Sequence, residues 1–153
     1  VNIRSAGPGD QADLASFDCG FNEPFQVEIY DWIRGEAWEW SLAQLENRLY
    51  VLIDDDASLA GVLAYESGSD TGSWFFKAIG IRRDLHDTRH LGTILFQHCL
   101  SELMDAEERG SAFWKVHPDN LASLKISHRV TDDDGYMFLG NHVFTVMWGM
   151  DDL

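Results

Sequence analysis

A chain of 153 residues, 45% hydrophobic and 24% charged, has the size and composition of one folded domain with a substantial core; a disordered or low-complexity protein is excluded. Its 11 Lys+Arg against 26 Asp+Glu give a net charge of −15 and a pI near 4.5. That balance argues against nucleic acid and anionic membranes as partners, and favours a cationic substrate such as an amine, although acidity also serves solubility. Two cysteines, Cys19 and Cys99, form neither a disulfide framework nor a zinc pattern, and the lack of a leader or a long apolar span points to the cytoplasm.

Val1–Arg4 reads as a short strand, closed by the turn Gly7-Pro8-Gly9-Asp10, with a short helix over Gln11–Phe17. Ile29, Trp32, Ile33, Ala37 and Trp40 recur at three and four residues, which predicts a helix over Phe25–Ala43, weakened at Gly35. Three strands follow: Arg48–Ile53, closed by Asp54-Asp55-Asp56; Leu59–Glu66, closed by the turn from Ser67 to Gly72; and Trp74–Ile81. Leu91–Glu108 is an amphipathic helix with Leu91, Ile94, Leu95, Leu103 and Met104 inward, Cys99 as buried filler and Gly110 as its stop. Ser111–Val116 is a strand, and Asp119 or Asn120 caps a short helix to about Arg129. The run Asp132-Asp133-Asp134 reads as a solvated turn, before Tyr136–Leu139 and Val143–Trp148 pair around Gly140-Asn141. The unit from Trp74 to Val116 is a crossover joining parallel strands, flanked by antiparallel hairpins.

The stretch from Ile79 to Leu95 carries the strongest functional signal. A strand feeds a loop that opens onto a helix N-terminus, an arrangement whose free amides can cradle phosphate. Arg82, Arg83 and Arg89 gather there with His86 and His90, a basic island on an acidic chain. The His86-x-x-x-His90 spacing would suit a metal only on a helix, and this segment reads as loop, so no metal is expected. No nucleophile elbow or Gly-Lys-Ser/Thr loop is present.

Ile81-Arg82-Arg83 followed by Arg89-His90-Leu91-Gly92-Thr93 resembles the strand end and coenzyme loop of the GNAT superfamily of acetyl-CoA-dependent N-acetyltransferases. Asn120-Leu121-Ala122-Ser123 resembles the second signature of that family, and the element order is similar over nearly the whole chain. His90 stands where the family has glycine, and Ser127 where it often has a tyrosine acid. The resemblance implies a single-domain mixed α/β fold, with a mostly antiparallel sheet and helices on both faces, that moves an acetyl group from acetyl-CoA to a primary amine. It implies coenzyme contacts from Ile79, Gly80 and Ile81 on the strand, from Arg83, His86, Arg89, His90, Leu91, Gly92 and Thr93 in the loop and helix start, and from Asn120 and Ser123 beyond the next strand.

Acetyl transfer requires a neutral amine, a route for its proton and a donor for the departing thiolate. Glu66 and His117, at strand ends, are the candidate bases, and Ser127 is the candidate donor. Trp32, Trp38, Trp40 and Trp74 are read as core and cleft lining; if exposed in the cleft, they could hold a cationic amine together with Glu36 and Glu39. The expected partners are acetyl-CoA and a small cationic amine, with no nucleic acid and no membrane; monomer and homodimer are both open. Two other readings stand beside this one. One is a non-catalytic CoA-binding or sensor module on the same fold, and the other an unrelated small α/β interaction domain. A narrower likeness of Phe17-Asp18-Cys19-Gly20 and Trp32-Ile33-Arg34-Gly35-Glu36-Ala37 to toxin-type family members adds a second acceptor, aminoacyl-tRNA, which the charge opposes.

Overall fold

The computed structural model describes residues 1–19, 27–67, 72–86, 88–131 and 135–149, with backbone alone at Val27 and Glu28. Seven strands form one sheet: β1 (Asn2–Ser5), β2 (Asn47–Ile53), β3 (Leu59–Ser67), β4 (Ser73–Ile81), β5 (Gly110–Val116), β6 (Tyr136–Phe138) and β7 (Asn141–Trp148). Their order across the sheet is β1-β2-β3-β4-β5-β7-β6, and every neighbouring pair is antiparallel except β4 with β5. The helices are α1 (Gln11–Ala15), α2 (Val27–Gly35), α3 (Ala37–Ala43), α4 (Leu91–Ala106) and α5 (Leu121–Val130).

Helices cover both faces of the sheet, and each face has its own core. One core joins α4 and α5 to Leu63, Tyr65, Trp74, Phe76, Trp114 and Phe144. The other joins α1, α2 and α3 to Leu49, Val51, Val62, Ala64 and Ala78. β3 is buried from Leu59 to Tyr65, as befits a central strand covered on both sides. On the α4 side, Phe76 stacks on Tyr65 at 4.8 Å and on Phe96 at 4.7 Å, and Phe96 meets Trp114 at 4.6 Å.

Several local expectations shift. The helix expected over Phe25–Ala43 is two helices, broken at Glu36 directly after Gly35; Phe25 and Gln26 lie outside the described residues. In α4 the buried stripe is Leu91, Leu95, Phe96, Cys99, Leu100 and Leu103, while Ile94 and Met104 are exposed at its edges. Cys99 is buried as expected. That helix ends at Ala106, and Gly110 opens β5 instead of stopping it, because a Cβ there would stand 2.4 Å from the Trp148 ring. The last hairpin turns one residue earlier than expected, at Leu139 and Gly140, both at positive φ, the signature of a type I′ turn. The expected turns at 68–71 and 132–134, together with Asp87 and Gly20, lie outside the described residues.

Among the described residues no helix is long and apolar enough to cross a membrane.

Candidate active site

The parallel strands β4 and β5 pair only over Ser73–Phe75 and Ser111–Phe113. Just beyond, Tyr65 of β3 faces Phe76 and Ala64 faces Ala78, so Lys77 is an extra residue on β4, a β-bulge that bends the strand. Past the bulge β4 stays with β3 as far as Ile81, and β5 stays with β7 as far as Val116. Each strand follows its antiparallel neighbour, and the parallel pair opens into a fork.

The fork leads into a cleft of about 570 Å³. Phe76, Phe96 and Trp114 line its closed end, and the open edges of β4 and β5 form its walls. At its mouth stands the N-terminus of α4. His90 is the N-cap residue, with φ 51° and ψ 41°, and Arg89 before it also has φ 51°. Left-handed backbone is costly for residues with a Cβ, and histidine is among those that tolerate it best.

The His90 side chain makes no cap hydrogen bond, so the first amides of α4 carry no partner from their N-cap residue. Thr93 in that first turn is buried, and its hydroxyl is the one buried side-chain polar atom without a partner among the described residues. Free amides and a hydroxyl without a partner at one helix end are groups that can hydrogen-bond an anion.

Twelve of the fifteen expected site residues line this cleft. Ile79, Gly80 and Ile81 lie along β4, and His86, His90, Leu91, Gly92 and Thr93 along the loop and helix start. His117, Asn120, Ser123 and Ser127 line the opposite side. Asn120 caps α5, its side chain accepting the Ser123 N–H at 3.2 Å. His117 Nδ1 accepts the Asp119 N–H at 3.1 Å. Ser127 is buried; its hydroxyl accepts the Trp114 indole N–H at 2.8 Å and donates to the Ser123 carbonyl at 2.8 Å.

The other three stand apart. Glu66 faces Phe75, on the zipped side of the fork, and is not among the cleft residues. Arg83 pairs with Asp18 at 3.2 Å and Arg89 with Asp54 at 2.9 Å, both away from the lining. The Arg89 contact holds the Asp54 carboxyl below its ordinary range and raises the guanidinium. Arg82 is likewise turned outward, to Asp84, Ser58 and the Leu59 carbonyl.

The basic island of the loop is therefore neutralised by its neighbours, and the cations of the cleft come from elsewhere. They are Lys77 at the bulge, Lys115 on β5, and Lys125 and Arg129 on α5, four residues apart on one helix face. No carboxylate lines the cleft among the described residues, in a chain with 26 acidic side chains. The spacing Lys125-x-x-x-Arg129 after Asn120 was the available sequence signal for the α5 pair.

The tryptophans make no acceptor cage. Trp74 is buried core, Trp38 and Trp40 pack beside the second core, and Trp32 carries the Lys77 ammonium 5.2 Å from its ring centre. Glu36 and Glu39 are exposed. The His86 ring N–H donates to the Ile81 carbonyl at 2.7 Å, in a loop rather than a helix, which removes that nitrogen from metal binding. Cys19 lines the cleft beside Gly80, and burial pushes its thiol up to about 11, so it is protonated at neutral pH.

No family model matches the sequence, and no curated protein does. Solved structures do match. A GNAT-family protein from Desulfovibrio desulfuricans superposes with a TM-score of 0.75 at 15% identity, over 95% of this chain and 97% of that one. The spermidine/spermine N-acetyltransferase SpeG from Vibrio cholerae, solved with manganese ions, gives 0.67 at 15% identity over 95% and 91%. The AtaT toxin, as a Y144F mutant bound to acetyl-CoA and the C-terminus of the antitoxin AtaR, gives 0.69 at 13% identity over 95% and 92%. The chain has the fold of the GNAT-family acetyltransferases.

Proposed function

We propose that the protein is an N-acetyltransferase that moves an acetyl group from acetyl-CoA to a primary amine. The observation that carries this reading is one cleft in which a strand fork meets an uncapped helix N-terminus with the unpaired Thr93 hydroxyl. The pyrophosphate lies on the amides of Leu91, Gly92 and Thr93, with Lys125 and Arg129 supplying opposite charge across the cleft. The pantetheine arm runs along the open edge of β4 from Ile81 towards Lys77, and the thioester reaches the fork beside Phe76 and Trp114. Gly80 keeps that edge close to Cys19 and Ile33, since a Cβ there would stand 3.1 Å from each.

In this frame the amine nitrogen attacks the thioester carbonyl, the carbon–sulfur bond breaks, the nitrogen loses a proton and the sulfur gains one. Holding the two substrates together supplies much of the rate. Glu66 faces Phe75, one register position from the Tyr65–Phe76 pair at the closed end of the cleft, and in this reading it takes the proton through water. His117 lies four residues past Phe113, about 13 Å along β5 at the usual rise. That puts it at the phosphate end, where it serves coenzyme binding better than proton transfer. Ser127 can protonate the thiolate only by giving up its bond to Ser123.

The acceptor is a small amine. A charge of −15 concentrates cations at the mouth, yet Lys77 opposes a second positive charge beside the thioester. A molecule with a single amine, cationic at the mouth and neutral once it reaches the thioester, satisfies both conditions better than a polyamine. The same charge opposes an aminoacyl-tRNA acceptor.

The test is release of CoA thiol from acetyl-CoA across a panel of monoamines, amino acids, polyamines and aminoglycosides, alongside calorimetry with CoA. Thiol release with at least one amine is expected. Binding without release from any amine leaves a CoA-binding module in its place, and absence of CoA binding overturns the reading.

A further inference from the structure

The loop that precedes α4 is held from outside by the β2–β3 turn. Asp54 N–H donates to the Ser58 carbonyl and Ala57 N–H to the Asp54 carbonyl, each at 2.9 Å, and the Asp54 carboxylate accepts the Asp55 N–H at 2.8 Å. The carboxylate is thus set in a tight turn, its side chain only 12% exposed. It receives both terminal nitrogens of Arg89, at 3.2 and 2.9 Å. The same turn grips the start of the loop, where Arg82 donates to Ser58 Oγ at 2.7 Å and to the Leu59 carbonyl at 3.1 Å.

At the Arg89 grip the chain takes a conformation that it would not choose alone. Arg89 and His90, consecutive residues with a Cβ, both stand at φ 51°. Such backbone persists where surrounding contacts over-determine it. His90 then aims the first amides of α4 at the cleft, and its carbonyl accepts the Ile94 N–H at 3.0 Å, the first bond of the helix.

We propose that Asp54 is a positioning residue for the coenzyme: it contacts no phosphate, but through Arg89 it holds the Arg89–His90 backbone left-handed and so keeps the α4 amides aimed at the pyrophosphate. This rests on the reading that the cleft takes CoA. The sign of the effect separates positioning from simple charge. Removing a carboxylate beside a phosphate site tightens binding if charge alone acts, and also if Asp54 competes with the phosphates for Arg89. Positioning requires the opposite.

The experiment compares wild type, Asp54→Ala and Asp54→Ala/Arg89→Gly, because glycine takes positive φ without strain and Arg89 stands off the cleft lining. The expected Kd for CoA rises about two- to fivefold in Asp54→Ala, the range for an exposed ion pair, with KM for acetyl-CoA following and kcat unchanged. The double variant returns to the wild-type Kd or below it. Amide exchange at Ile94, measured without ligand, speeds up in Asp54→Ala and slows again in the double variant. Unchanged or tighter CoA binding in Asp54→Ala overturns the proposal, as does weaker binding that Arg89→Gly fails to restore. If wild type itself binds no CoA, the coenzyme reading fails, whereas the exchange data still report whether Asp54 orders the loop.

Discussion

The indole N–H of Trp114 donates to Ser127 Oγ at 2.8 Å, and that hydroxyl in turn donates a hydrogen bond to the Ser123 carbonyl at 2.8 Å. Ser127 thereby ties α5 to β5 at the first residue past the fork, and both of its hydrogen-bonding roles are occupied. Ser127→Ala leaves a buried indole N–H unpaired, which costs about 1–3 kcal/mol. Tm should fall by several degrees, with kcat reduced less than about tenfold. A loss of a hundredfold or more in kcat at unchanged Tm would return Ser127 to the chemistry.

The Thr93 hydroxyl gives a cleaner separation of stability from binding. Valine has the same shape and removes an unpaired polar atom, so Thr93→Val should leave apo Tm unchanged or raised. CoA affinity should fall about ten- to a hundredfold, the worth of one hydrogen bond to a charged group. Calorimetry showing no change in affinity would detach that hydroxyl from the phosphate.

Gly92 plays two parts at once. It lines the cleft, and a Cβ added to it would stand 2.6 Å from Ile126 Cδ1, so its bareness also lets α4 and α5 approach. Gly92→Val should lower Tm and abolish CoA binding together. Shortening the neighbour in Gly92→Val/Ile126→Ala should recover much of the Tm and leave CoA binding lost. Recovery of both would make the glycine a packing residue alone.

The two candidate bases predict different kinetic signatures. Glu66→Gln should lower kcat about a hundredfold with little change in KM for acetyl-CoA. His117→Ala should raise KM for acetyl-CoA with kcat nearly intact. The reverse pattern would put the proton on His117 and the thioester at the other end of the cleft.

Away from the cleft, Arg4 on β1 pairs with Asp10 through both carboxylate oxygens, at 2.7 and 2.9 Å, and Gly7 N–H adds a third bond at 2.7 Å. The Arg4 hydrogen bond, opposed by burial and aided by Gly7, holds the Asp10 carboxyl below its ordinary range. A carboxyl lowered on folding stabilises the folded state above its unfolded pKa, and that contribution is lost as pH falls through the folded one. Asp10→Asn should therefore lower Tm by about 3–6 °C at neutral pH, with the difference from wild type closing in acid. A difference independent of pH would assign the effect to packing.

Much of this architecture follows from local pattern. The unbroken apolar run of β3, the apolar spacing of α4 and the Asn120 cap are set by backbone periodicity and side-chain reach over a few residues, so they can be read from the chain itself. The strand-loop-helix stretch from Ile79 to Leu95 likewise located the open helix end. The fork could not be read this way, because a one-residue bulge at Lys77 exists only relative to its partner β3. Nor could the fate of the loop arginines, since Asp54 lies 35 residues from Arg89 and Asp18 lies 65 from Arg83. Composition placed those cations at the phosphate; packing turned them outward and brought Lys125 and Arg129 across from α5. Backbone periodicity acts through neighbours in the chain, whereas ion pairs form between whichever charges the folded sheet brings within about 4 Å.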